Sequence, residues 1–141
     1  MTPVLLDTGV IVALLDRSEG NHRRCAAAVQ NIANPLVTCE AVIAESCYLL
    51  RNIDGAPEAV LENVQGALFH IPFSISRSAA SVRRLLRKYR DRGIDFADAC
   101  LIQLAEELDT GEILTLDDDF HVYRWKKNKA FHFVISAKDV D

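Results

Sequence analysis

At 141 residues, half of them hydrophobic, the chain has the size of one domain and enough apolar material for a substantial core, so a single unit over residues 1–141 is expected. A net charge of -4 argues against a general nucleic-acid coat protein, although the charge is strongly segregated along the chain. The N-terminus lacks a basic segment leading into an apolar one, and no run approaches the roughly 20 apolar residues that span a bilayer, so neither export nor a membrane location is expected.

Val4-Leu5-Leu6 has the character of a buried strand and runs directly into Asp7 and Thr8. In an open α/β sheet the carboxyl ends of the strands face the crevice where ligands bind, so a strand that stops on an acid delivers that acid to a site. Asp7 can equally serve as the cap of the short apolar helix expected over Val10–Leu15. From Asn21, the positions of Cys25, Ala28, Val29 and Ile32 mark one helical face that ends at Asn34-Pro35, and Leu36-Val37-Thr38 reads as a second buried strand. The next helix, expected from about Glu40 to Arg51, places Ala41, Glu45, Tyr48 and Leu49 on one face, so Glu45 falls on an apolar stripe. A carboxylate there requires the lip of a cleft, a basic partner or a metal.

Asp54-Gly55-Ala56-Pro57 is a turn with a proline suited to the first helical turn, and Val60, Val64 and Leu68 continue the inner face of the helix that follows. Phe69 to Phe73 reads as a third strand or an extended link. Between Ser76 and Arg90 an apolar seam of Ala79, Val82, Leu85, Leu86 and Tyr89 leaves Arg83, Arg84, Arg87 and Lys88 on the other side. Of the sixteen Lys and Arg, seven lie between Arg77 and Arg92, where Asp91 is the only acid, and four more lie between Arg124 and Lys129. A solubilising face mixes signs, whereas a stripe of one sign suits the positioning of phosphates.

Asp95 has the position of an N-cap, and Asp98 three residues later falls on the stripe of Ile94, Leu101, Ile102 and Ala105, which repeats the anomaly at Glu45. Glu106 and Glu107 face outward. Glu112 to Leu116 then forms a short strand ending in Thr115 and the run Asp117-Asp118-Asp119-Phe120, and Phe131–Ile135 supplies a last strand. Helices alternating with short strands indicate a parallel sheet covered on both faces. Cys25, Cys39, Cys47 and Cys100 form no C-x-x-C pair and lie among alanine, leucine and valine, as reduced thiols of a cytoplasmic protein do.

Asp7, Glu45, Asp98 and Asp117 would therefore converge on one crevice, and clustered carboxylates make physical sense around a cation. All-oxygen ligands select a hard ion such as Mg²⁺ or Mn²⁺, which keeps waters, accepts phosphate oxygens and can activate water for attack on phosphorus. With the basic tracts, this points to a nuclease. A dehalogenase-type phosphatase would need a second acid two residues after the first, where Gly9 stands, and a receiver domain would need paired acids and a later lysine that are not evident.

These residues carry a resemblance to a known family. Leu5-Leu6-Asp7-Thr8, Ala44-Glu45, Asp95-Phe96-Ala97-Asp98-Ala99 and Ile113-Leu114-Thr115-Leu116-Asp117 before Asp119-Phe120 together resemble the PIN domain, over nearly the whole chain. The similarity is greatest to small single-domain members of the VapC toxin type. The resemblance implies a three-layer α/β/α fold with a parallel sheet of about five strands and a Mg²⁺- or Mn²⁺-dependent ribonuclease site. It also implies a homodimer and a cognate antitoxin. Asp7, Glu45 and Asp98 take the family's first three acidic positions, and Asp117 the fourth, with Asp119 the next choice because three aspartates fill that motif. Asp118 is expected to face solvent. Thr8 and Thr115 match the hydroxyls beside the acids, with Asp95 in support, and the RNA-binding stripe is assigned to Arg83, Arg84, Arg87 and Lys88. The competing reading is a PIN-like module that binds RNA or a partner without cutting.

Overall fold

The computed structural model describes residues 1–135, and residues 136–141 of the expected unit lie outside the described part. Strand β1 (Val4–Leu6) is fully buried and central. It is followed by α1 (Thr8–Leu15), α2 (His22–Gln30), β2 (Leu36–Val37), α3 (Glu40–Leu49), α4 (Ala56–Gln65), β3 (Phe69–His70) and α5 (Ile75–Lys88). Then come α6 (Phe96–Leu108), β4 (Glu112–Leu114), β5 (Arg124–Trp125), β6 (Lys129–Ala130) and β7 (His132–Phe133). The five-stranded sheet has the order β3-β2-β1-β4-β7 with every pairing parallel.

The chain fills one side of β1 with β2 and β3, then returns to the other side with β4 and β7. Strand order thus reverses between β1 and β4, and a crevice opens there at the carboxyl ends of the strands. Parallel strands need crossover helices, which cover the sheet and make the three-layer α/β/α arrangement. Helix α1 packs on α2, α3 and α4, and α6 packs on α3 and α5. Every residue of α6 from Ala97 to Ala105 is buried, so this helix runs through the interior with little solvent face. The core joins Leu5, Leu6, Ile11, Leu101, Ile102, Leu104, Ile113 and Leu114 to Phe120 and Tyr123, whose rings meet edge to face.

Several sequence expectations shift. In α3 the buried residues are Val42, Ile43 and Ser46, with Leu50 just beyond; Glu45, Tyr48 and Leu49 are exposed, so the stripe expected to face the core faces outward. In α5, Ser78 lies inside with Val82, whereas Ala79 is exposed, because Ser78 donates a hydrogen bond to Glu107 Oε2 at 2.6 Å across the α5–α6 contact. Glu107 is thereby a partner of α5 as well as a surface acid. Helix α2 stops at Gln30, before Ile32, and α4 stops at Gln65, leaving Leu68 exposed. The last strand is only His132–Phe133 of the expected Phe131–Ile135. The basic tract from Arg124 to Lys129 forms an antiparallel hairpin with β5 and β6, its turn using positive φ at Lys126 and Lys127.

Candidate active site

Three strand ends bring polar groups to the crevice. After β1 comes Asp7, whose backbone N–H donates to Leu114 O at 3.0 Å, locking it beside β4. After β2 comes Thr38, which donates to Leu6 O at 2.8 Å, and after β4 comes Thr115. Asp7 is the N-cap of α1: one carboxylate oxygen accepts from Thr8 N–H at 2.8 Å. The other accepts from Thr115 Oγ1 at 2.6 Å. The capping and site roles weighed for this residue are therefore compatible, since a carboxylate has two oxygens and the cap uses one.

Thr115 Oγ1 also accepts from Asp117 N–H at 3.0 Å, and a single hydroxyl thus sets the separation of two acids. Asp117 caps a short 3₁₀ turn over Asp118–His121 by accepting from Asp119 N–H at 2.9 Å. That turn sends the three consecutive aspartates in different directions. Asp117 faces the crevice, Asp118 is exposed, and Asp119 pairs with the Arg92 guanidinium at 2.9 Å. Asp98 enters from the first turn of α6, where Asp95 is the N-cap and accepts from Asp98 N–H at 2.8 Å. The cap is thus made by Asp95, and the buried Asp98 side chain is left for the site.

Among the described residues, Asp7, Asp98 and Asp117 each offer a carboxylate oxygen such that all three lie within 4.8 Å of one another. They border a cleft of about 330 Å³ that is also lined by Thr8, Glu45, Leu49 and Asp95. Glu45 reaches it from the exposed face of α3, as an acid at the lip of a cleft. Arg83, Arg84, Arg87 and Lys88 are all exposed on α5; Arg83 and Arg87 line a separate open groove with Arg90. The groove of Arg83, Arg87 and Arg90 is therefore lined by none of the residues of the acid cleft.

The electrostatics of the cluster are strained. Burial pushes the Asp7 carboxyl up to about 6, opposed by its hydrogen bonds from Thr115 and Thr8 and reinforced by the charges of Asp117 and Glu45. Burial, followed by the charges of Asp7, Asp95, Asp117 and Glu45, pushes Asp98 up to about 8. Thr8 Oγ1 is buried at the cleft with no hydrogen-bond partner among the described residues. Mutually repelling carboxylates beside an unsatisfied hydroxyl form an all-oxygen donor set that a hard divalent cation fits and that no base among the described residues neutralises.

One neighbour was not anticipated from sequence. Tyr123 is fully buried, its hydroxyl has no hydrogen-bond partner among the described residues, and its ionisation is opposed first by burial and then by Asp98, Asp119, Asp117 and Asp95. Its position, three residues after Phe120 in the motif that follows the acids, was the available signal.

This chain matches the PIN domain family over residues 4–126, which includes every acid of the cleft. It belongs to the PIN domain family. Within that family it is 31% identical over 116 residues to ribonuclease VapC26 of Mycobacterium tuberculosis, an alignment covering 81% of this chain and 86% of the relative. The PIN fold accounts for the location of the cleft: the central strand and its neighbour across the reversal each lead into an acid, Asp7 directly and Asp117 through Thr115, which hydrogen-bonds both. In this PIN domain Asp119 is drawn away by Arg92, and Asp117 is the acid from that motif that sits with Asp7 and Asp98.

Proposed function

We propose that this PIN domain is a metal-dependent endoribonuclease that hydrolyses phosphodiester bonds of single-stranded RNA, and that it is the toxin of a toxin–antitoxin pair. The observation that carries the reading is the convergence of Asp7, Asp98 and Asp117 to within 4.8 Å in an open cleft. The similarity to ribonuclease VapC26 supports the substrate class. The same reading includes a homodimer in the cytoplasm with an antitoxin as its partner.

In this account Asp7, Asp98 and Asp117 would hold Mg²⁺ or Mn²⁺, and Glu45, which lines the cleft from α3, would be the fourth acid. When bound, the ion supplies a Lewis acid for a phosphate oxygen and makes water a competent nucleophile near neutral pH. Thr115 fixes the spacing of Asp7 and Asp117 and, as a donor to Asp7, favours the ionised carboxylate that ligation requires. Asp95 holds the first turn of α6 and thereby the position of Asp98. The α5 arginines bind the RNA backbone outside the cleft, giving affinity that depends on salt and little on sequence. Asp119 and Arg92 keep the carboxylate of Asp119 out of the ligand set.

The test is incubation of metal-stripped protein with a panel of single-stranded RNAs, with Mn²⁺ and with excess chelator. Cleavage that needs the metal and leaves 5′-phosphate and 3′-hydroxyl ends is the expected result. Equal cleavage in chelator removes the metal from the account, and RNA binding without cleavage under any condition favours the non-catalytic module.

A further inference from the structure

Helix α3 turns an unexpected face to solvent. The side chain of Glu45 lines the acid cleft, and one turn later, about 6 Å along the axis, Leu49 lines the same cleft; Tyr48, the residue before it, is exposed just outside that lining. Leu49 is 53% exposed and Tyr48 62% exposed, an exposed leucine and aromatic in succession on one helix. The Tyr48 ring is not loose. The Arg51 guanidinium lies 3.9 Å from its centroid, and Arg51 Nη1 donates to Tyr48 O at 2.7 Å, which fixes the cation over one side of the ring. Among the described residues no carboxylate pairs with Arg51, so its charge remains available to an anion.

Resting on the ribonuclease reading above, we infer that Tyr48, with Leu49 and Arg51, forms a subsite that receives one unpaired nucleobase next to the phosphate held in the acid cleft. The chemistry of the three residues favours a nucleotide over other occupants. A nucleobase presents a flat π-face, which the tyrosine ring stacks upon, and it is joined to a phosphate, which a guanidinium beside the ring can bind. A duplex keeps its bases stacked on one another, so this subsite selects single-stranded or splayed RNA. Leu49, next to Tyr48 in the chain, lines the cleft, so a base stacked on Tyr48 would sit beside the acid cleft and not in the separate groove of Arg83, Arg87 and Arg90. Because every base has a π-face, the subsite fixes register and strandedness more than sequence. Tyr48 is thus a substrate-positioning residue on α3, one turn from Glu45.

The experiment compares the full-length wild type with Tyr48→Ala, Tyr48→Leu and Tyr48→Trp. Binding to fluorescent single-stranded oligoadenylates is read by anisotropy in chelator, with a set in which one abasic nucleotide is moved along the strand. Cleavage in Mn²⁺, oligomeric state and melting temperature are measured for the same proteins. The expected result is weakening by roughly five-fold or more in Tyr48→Ala and Tyr48→Leu, with Tyr48→Trp close to wild type. One abasic position should weaken the wild type and have no further effect on Tyr48→Ala. Tyr48 is exposed, so its replacement leaves the core intact, and the melts verify it.

The inference is overturned if Tyr48→Ala and Tyr48→Leu bind RNA as the wild type does, or if they change the oligomeric state and leave RNA affinity unaltered. The second outcome makes the face a protein contact. Cleavage by wild type and Tyr48→Ala with equal affinity overturns the subsite alone. Loss of binding in Tyr48→Ala with no cleavage by any variant overturns the nuclease reading and leaves the base subsite standing. Absence of RNA binding by the wild type overturns both.

Discussion

Asp98→Asn should make the metal-free protein more stable while removing its activity. The Asp98 carboxyl is pushed from 3.8 up to about 8 by burial and by the charges of Asp7, Asp95, Asp117 and Glu45. At neutral pH the folded protein therefore retains a proton that the unfolded chain has released. The stability linked to that proton is fully present below about pH 4 and is lost as the pH rises through about 8. At about 1.4 kcal/mol per pKa unit, the ceiling on the loss between pH 4 and pH 7 is about 4 kcal/mol. Protonation of Asp7, raised to about 6, relieves part of the same repulsion on the acid side of that window. The expected gain from the neutral amide is therefore about 1–3 kcal/mol at pH 7, or a rise of roughly 3–10 °C in melting temperature. The backbone hydrogen bond from Asp98 N–H to Asp95 survives the substitution, so the helix cap is not the variable. Melts of both proteins in chelator at pH 5, 7 and 8 should show the gap widening with pH. Added Mn²⁺ should stabilise the wild type more than the variant through mass action. A variant that melts lower than the wild type, with a gap independent of pH, refutes the reasoning and makes Asp98 a structural acid.

Thr115→Val removes the hydroxyl shared by Asp7 and Asp117, and should cost about 1–3 kcal/mol in a melt and shift the acid limb of a pH–activity profile upward, with Thr115→Ser restoring both. Asp117→Asn should abolish Mn²⁺ binding measured calorimetrically, whereas Asp119→Asn, which loses only a half-exposed pair with Arg92, should retain it; the reverse order would exchange their roles. Replacing Arg83, Arg84 and Arg87 together by alanine should weaken RNA binding across sequences and flatten the salt dependence by about three contacts' worth, and an unchanged slope would make the stripe a solvated face.

The sheet and two of the acids were legible in the sequence for the same reason: Asp7 and Asp98 sit where apolar periodicity leaves no room for an ordinary polar residue. Asp7 follows a wholly buried strand, and Asp98 lies in a helix buried along most of its length. Glu45 was reached by a faulty step. Helix α3 offers Ala41, Tyr48 and Leu49 on one side and Val42, Ile43 and Leu50 on the other, so periodicity could not choose a face, and the tertiary packing buried the second. Tyr48 and Leu49 are exposed and lie outside the core, and Leu49 lines the cleft. Asp117 and Asp119 could not be separated because their distinction is a matter of backbone geometry, in which a 3₁₀ turn capped by Asp117 carries Asp119 to Arg92. The Arg124–Lys129 hairpin was read only as charge, since a turn with positive φ at two consecutive lysines has no compositional signature.

The most direct test of the central claim is the anomalous difference density of a crystal soaked in Mn²⁺, collected at the manganese absorption edge. The account predicts a peak bonded to carboxylate oxygens of Asp7, Asp98 and Asp117, lost in Asp98→Asn crystals. A peak elsewhere, or none in a protein that still cleaves RNA, would contradict it.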